Sequence, residues 1–271
     1  MPELPEVETT RRGVEPLIKD RRIKQVIIRN HALRVPINES LPKLLAGQKL
    51  ERVERRAKYL YFRVQRGCLI WHLGMSGSMR VHGANEKPTK HDHVDLVFDN
   101  ELCLRYRDPR RFGLVVWTED APQTHKLIRH LGPEPWDDSF TGEYLYQRSR
   151  GRKLAVKNFI MDGKIVVGVG NIYANESLHL AGIDPRRAAS RIGPARYQQL
   201  VSNIRLVLDQ AITKGGTTLR DFAGTDGKPG YFRHELSVYD RAGQACMKCG
   251  SEIRQVVIGQ RSSFYCPRCQ R

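Results

Sequence analysis

The chain has no apolar run long enough to cross a bilayer, and its N-terminus lacks the apolar core of a secretory signal. Those absences exclude a membrane-spanning protein and point to a cytoplasmic one, in which thiols stay reduced. Internal repeats and low-complexity tracts are missing as well, which removes solenoids and arrays. Acidic residues are in deficit, with 29 Asp+Glu against 46 Lys+Arg and a formal charge of +17. Such a balance predicts attraction to polyanions and says nothing about fold. No amphipathic basic helix with a bulky apolar face stands out, so nucleic acid fits better than a membrane surface.

What is present reads as a multi-domain α+β chain of 271 residues. An opening helix is predicted, with Pro5 in its first turn, Glu6 and Glu8 near its start, and Arg11 and Arg12 after them. Val7, Val14, Leu17 and Ile18 give it one apolar face. Strand-like runs follow: IKQVIIR, KLERVERR, KYLYFRV, CLIWHLGM and RFGLVVW. VDLVF-DN-ELCLRYR predicts a hairpin turning at Asp99-Asn100. Many strands with short turns suggest a sandwich or barrel. After HLGPEPW the pattern becomes helical. NIYANESLHLAG is predicted to stop at Gly182, and a longer helix to run from Pro194 to Gly215-Gly216.

Six cysteines divide into two kinds. Cys68 and Cys103 sit singly in apolar runs and read as small buried hydrophobes. Cys246, Cys249, Cys266 and Cys269 form two CxxC pairs separated by 16 residues. In a reducing compartment that spacing predicts a tetrahedral thiolate site for one structural zinc, with a β-hairpin between the pairs turning near Gly259-Gln260. The module is too small to bury its own core, so the metal would contribute to folding it. From residue 236 onward it carries six Lys/Arg against two Asp/Glu.

VVGVGNIYANE, residues 166–176, places glycines before a helix. It is not the GxGxxG of a dinucleotide site. It reads either as a turn capped by Asn171 or as a helix start with N–H groups free to bind phosphate. WHLGMSGSMR and RYRDPRRFG set Met75, Arg110 and Phe112 beside glycine-bearing turns. Core packing is the ordinary fate of such residues; the functional reading is a wedge inserted between DNA base steps.

MPELPEVETTRRG, RRAKYLYF, HLGMSGSMR, KHDHVDL, DPRRFG, HLGPEP, VVGVGNIYANE, GGTTLRDF, DGKPGYF and the terminal cysteine module, taken in order, resemble the bacterial formamidopyrimidine-DNA glycosylases. The resemblance covers the whole chain. It implies an N-terminal β-sandwich catalytic domain at 1–132, a helix-two-turn-helix domain with a lesion loop at 133–230, and a zinc-finger β-hairpin at 237–271. It implies a monomeric enzyme of the bacterial cytosol that grips damaged double-stranded DNA, excises oxidised purines such as 8-oxoguanine and formamidopyrimidines, and cleaves the strand by β,δ-elimination.

The same resemblance implies the site residues. Pro2 would be the amine nucleophile once Met1 is removed, Glu3 the general acid, and Lys58 and Arg261 the groups associated with the two eliminations. His72, His91, Arg110, Arg152 and Asn171 would bind DNA, and Met75, Arg110 and Phe112 would fill the stack vacated by the flipped base. Chemistry supports Pro2 independently, because a secondary amine yields a cationic iminium directly and the start of a helix favours its neutral form. Two alternatives are an endonuclease VIII-like enzyme acting on oxidised pyrimidines and a non-catalytic zinc-finger DNA-binding protein.

Overall fold

A computed structural model describes residues 2–216 and 235–271. Met1 and the expected lesion loop at 217–230 lie outside the described residues. The described chain forms two compact units, residues 2–129 with 214–216, and residues 130–213 with 235–271.

The first unit begins with helix α1, Leu4–Ile18. Its start is fixed by a capping box: the Glu3 side chain accepts the Glu6 N–H, and the Glu3 N–H donates to Glu6 Oε2 at 2.8 Å. Leu4, Val7, Val14 and Ile18 are buried. Leu17, expected on this face, is instead 45% exposed, because Leu4 and Ile18 already complete the apolar stripe.

Eight strands follow: β1 Ile23–Ile28, β2 Leu50–Arg56, β3 Tyr59–Val64, β4 Gly67–His72, β5 Ser78–Gly83, β6 Asp92–Phe98, β7 Leu102–Arg107 and β8 Leu114–Thr118. Between β1 and β2 lies the short helix α2, Leu41–Leu45. The strands form two four-stranded sheets, β1-β6-β7-β5 and β2-β3-β4-β8, with every pairing antiparallel. Their inner faces share one core, in which Trp71 of one sheet meets Tyr106 of the other edge-on at 5.2 Å. Each fully buried side chain of this kind stabilises the fold by about 1.5–3 kcal/mol. The β6–β7 hairpin turns at Asp99-Asn100 as expected, with Glu101 at positive φ. Cys68 and Cys103 are buried, and burial pushes both thiols up to about 12.

The strand expected across RFGLVVW starts only at Leu114. Arg111 takes a left-handed φ of 57° and the Gly113 N–H turns back to Asp108, so Arg111–Gly113 is a turn.

The second unit holds α3 Gly142–Ser149, α4 Val156–Met161, α5 Asn171–Leu180 and α6 Pro194–Thr213. Phe159, Leu178, Tyr197, Leu200, Ile204 and Leu208 are buried among them. Gly182, at φ +66°, follows α5 as expected. The N-cap of α5 is Gly170, not Asn171: Asn171 is the first helical residue, and its side chain is engaged elsewhere. The terminal hairpin, β9 Arg254–Ile258 and β10 Arg261–Tyr265, turns at Gly259 and Gln260, both at positive φ. Among the described residues, no helix is long and apolar enough to cross a membrane.

Candidate functional site

In the first unit, strand register brings the expected residues to one end of the sandwich. Ala57 and Lys58 form the two-residue turn between β2 and β3, directly after the Arg56–Tyr59 pair. Tyr59 pairs with His72, the last residue of β4, and His72 pairs with Leu114, the first residue of β8. The Lys58 turn, the Met75 turn after β4 and the Arg110–Phe112 turn before β8 therefore share an edge. Helix α1 points its N-terminus the same way. Glu15 accepts the Val53 N–H, while Glu8, nearer the helix start, accepts from Arg55 at the strand's far end. Pro2 and Glu3 are buried at this helix start, on the side carrying the positive end of the helix dipole. His91 joins the same edge through its carbonyl, which accepts the Asp108 N–H at 3.0 Å.

His72 has a defined tautomer. Its Nδ1 accepts the Gly74 N–H at 2.9 Å, which leaves Nε2 to carry the proton. Burial, reinforced by the charges of Lys58 and Arg34, lowers its pKa to about 4. The ring, 4.9 Å from that of Tyr59, is thus a neutral N–H donor at pH 7. Phe112 is 45% exposed and carries the Arg110 guanidinium 4.9 Å above its ring. An apolar ring held out in solvent under an arginine is not core packing, whereas Met75 is partly buried.

In the second unit, Asn171 Nδ2 donates to the Ser262 carbonyl at 3.0 Å, beside the exposed Arg261 that opens β10. Asn171 and Arg261 therefore come together. Gly259 sits at the hairpin tip with a left-handed φ of 55° that favours glycine, and a Cβ there would push aside the Asn158 amide on α4, 2.3 Å away. Arg152 holds its guanidinium 5.7 Å over the Phe159 ring.

The four cysteines converge with their sulfurs all within 4.8 Å of one another. Hydrogen bonds from Ser251 pull the Cys249 thiol down to about 6, while burial pushes Cys269 up to about 12. Four crowded thiols ionise together only around a cation, and this all-sulfur donor set fits one tetrahedral zinc.

Several structurally decisive residues have partners that no local pattern reveals, although Asn175 and Glu176 lie within the VVGVGNIYANE motif. Glu176 of α5 accepts the backbone N–H groups of Ser237, Val238 and Tyr239 at 2.8, 3.0 and 2.8 Å. Asn175 accepts from Phe264 N at 2.7 Å. Lys157, wholly buried, reaches Ser262 and Ser263. All three act across about 60 to 106 residues of chain, beyond any local pattern.

Comparison with known proteins agrees along the chain. Family models match in three places: the formamidopyrimidine-DNA glycosylase N-terminal domain at residues 1–115, the formamidopyrimidine-DNA glycosylase H2TH domain at 131–223, and a zinc finger found in FPG and IleRS at 243–271. The formamidopyrimidine-DNA glycosylase of Stutzerimonas stutzeri is 57% identical over 271 residues, covering both chains completely, and that of Pseudomonas aeruginosa is 55% identical over the same span. Among solved structures, the complex between Lactococcus lactis Fpg and an abasic site containing DNA has a TM-score of 0.92 at 31% identity, with full coverage of both chains. The MutM (Fpg) protein from Thermus thermophilus has a TM-score of 0.88 at 35% identity, covering 99% of this chain and 98% of that one.

Proposed function

The chain belongs to the formamidopyrimidine-DNA glycosylase family, and on that premise we propose how its own residues carry the reaction. It is a DNA glycosylase of base excision repair that acts on oxidised purines in damaged double-stranded DNA, as a monomer, with the strand-cleaving AP lyase activity of its family and one structural zinc. Its site of action is the cytoplasm, where the bacterial chromosome lies. We divide the labour among residues 1–132 for catalysis, 133–230 for DNA and lesion binding, and 237–271 for the finger.

The lesion is unreachable inside a duplex and is flipped out at a cost of a few kcal/mol. Met75, Arg110 and Phe112 enter the vacated space and recover part of that cost. The neutral Nε2–H of His72, together with Lys58, His91, Arg152, Asn171 and Arg261, holds phosphates on either side. With Met1 removed, the Pro2 nitrogen attacks the sugar C1′ as the bond to the base breaks. Glu3 supplies the proton taken up by the opening sugar or the departing base. The resulting iminium acidifies the C2′ proton, so that β-elimination expels the 3′ phosphate and δ-elimination then expels the 5′ phosphate. Lys58 donates a proton in the first elimination, and Arg261 orients and neutralises the leaving phosphate in the second. The zinc contributes structure to the finger that bears Arg261.

The observation that carries this reading is the convergence of the α1 start, the Lys58 turn and the Met75 and Phe112 turns on one edge of the sandwich. Borohydride trapping on an 8-oxoguanine:C duplex tests it. A covalent adduct is expected from the protein with a free Pro2 and none once that amine is blocked by acylation; an undiminished adduct from the blocked protein rules out Pro2 as nucleophile. A faster reaction on dihydrouracil than on 8-oxoguanine duplexes would reverse the preference for purines.

A further inference from the structure

The two turns that bear Met75 and Phe112 are fastened by a single buried carboxylate. Asp108 is wholly buried. Its Oδ1 accepts from Ser76 Oγ at 2.8 Å, within the Met75 turn. Its Oδ2 accepts the Gly113 N–H at 2.8 Å, at the end of the Arg110–Phe112 turn. The Tyr106 hydroxyl donates to the same Oδ2 at 3.0 Å and also lies 3.4 Å from the Leu73 carbonyl. Ser76 Oγ in turn accepts the Arg110 N–H at 3.2 Å. From behind, His93 Nε2 meets the Asp108 carbonyl at 2.8 Å.

Close backbone approach completes the junction. A Cβ on Gly74 would lie 2.4 Å from Gly113 N, and one on Gly113 would lie 1.8 Å from the Tyr106 hydroxyl. Ser76 and Tyr106 are buried along with the carboxylate. Satisfied polar groups in a water-excluded interior hold geometry tightly, because each lost bond leaves a desolvated partner behind. Neither turn can shift without breaking a bond to the other.

We propose that Asp108, Ser76 and Tyr106 are positioning residues for base extrusion, coupling the Met75 turn and the Arg110–Phe112 turn so that they enter the DNA stack as one rigid wedge. This rests on the wedge role assigned above to Met75, Arg110 and Phe112. None of the three coupling residues touches DNA; they act by fixing the spacing of those that do. Chain distant from the wedge gains nothing from this arrangement, so its loss registers chiefly in the step that opens the duplex. An abasic nucleotide, which has no base to unstack, needs the wedge less than an intact lesion.

The test uses the full-length, zinc-loaded protein and the variants Ser76→Ala, Tyr106→Phe and Asp108→Asn. Single-turnover excision from an 8-oxoguanine:C duplex is compared with cleavage at a pre-formed abasic site, and 2-aminopurine beside the lesion reports unstacking by stopped-flow fluorescence. The ratio of excision to abasic cleavage is expected to fall about tenfold, the effect of one buried hydrogen bond, and the unstacking phase to slow with it. Equal loss of both activities, or loss of neither, overturns the proposal. Ser76→Ala, which removes a single oxygen, decides the matter if Asp108→Asn does not fold. Met75→Ala and Phe112→Ala separate the two layers of argument. If they leave excision unchanged, the wedge reading itself fails; if they slow it while the coupling variants do not, only the present inference fails.

Discussion

Lys157 and Ser262 are joined by a hydrogen bond from a wholly buried side chain, Nζ to carbonyl oxygen at 2.9 Å, and the same Nζ donates to Ser263 Oγ at 2.6 Å. Asn171 shares that carbonyl. A lysine inside the second unit therefore sets the strand on which Arg261 stands, although it is placed too deep to meet a phosphate itself.

Replacing Lys157 by Met keeps the bulk and removes the donor. The variant is expected to lose roughly 2 kcal/mol or more, since buried acceptors go unsatisfied, and to bind DNA more weakly because Arg261 is displaced. Thermal unfolding and DNA titration check the two effects. Unchanged affinity would show that the β10 position does not depend on Lys157.

His72 makes stability depend on pH in an identifiable window. Its pKa is about 4 in the fold against an ordinary 6.5, so between those values the unfolded chain binds the extra proton. Stability is then complete above about 6.5 and declines as pH falls toward 4. Glu8 and Asp95 also have lowered values, from ordinary values of 4.5 and 3.8, so their contributions are lost at the acid end of this window and below it. Tm measured from about pH 7.5 to about pH 4.5 should fall, and His72→Gln should reduce the slope, leaving the share of His125 and His179, which burial also lowers from 6.5.

A net charge of +17 and the phosphate contacts proposed above require steep salt dependence. The logarithm of DNA affinity is expected to fall linearly with that of salt concentration, by about 0.9 per phosphate neutralised. Titrations between low and physiological salt measure it. A flat response contradicts phosphate gripping, and Asn171→Ala, which removes no charge, should leave the slope nearly unchanged while lowering affinity.

Chelating the zinc should abolish DNA binding before it unfolds the sandwich. The cysteine cluster belongs to the second unit and the Trp71–Tyr106 core to the first. Hydrogen exchange read strand by strand distinguishes them: β9 and β10 amides are expected to lose protection while those of β3 and β4 keep it. Simultaneous loss would mean that the two units unfold as one.

Legibility from sequence follows the range of the interactions responsible. The zinc ligands can be read because CxxC pairs are local and their spacing is diagnostic. The β6–β7 hairpin can be read because Asp99-Asn100 supplies its turn chemistry within four residues. Strand β5 escapes such a reading: Met79 and Val81 alone turn to the core, too few to set a period, and pairing with β7 fixes it. Asn171 resembles a cap, yet its amide serves a carbonyl 91 residues away. Phe112 suggests a strand, whereas Asp108 bends the chain there. Glu3 and Lys58 are legible only through resemblance, whereas the chemistry of a secondary amine also points to Pro2; the shared edge that unites them is a product of strand register.

Helix α5 fastens the terminal module at four points, through Asn171 to Ser262, Asn175 to Phe264, Glu176 to residues 237–239 and His179 to Gln270. A cassette cut at residue 237 and grafted onto another scaffold would take its zinc ligands with it but leave every one of those fasteners behind. The transplantable piece is accordingly larger than the metal site suggests: it includes the NIYANE stretch and Lys157, and a chimera built without them would bind metal on a hairpin with nothing to aim it.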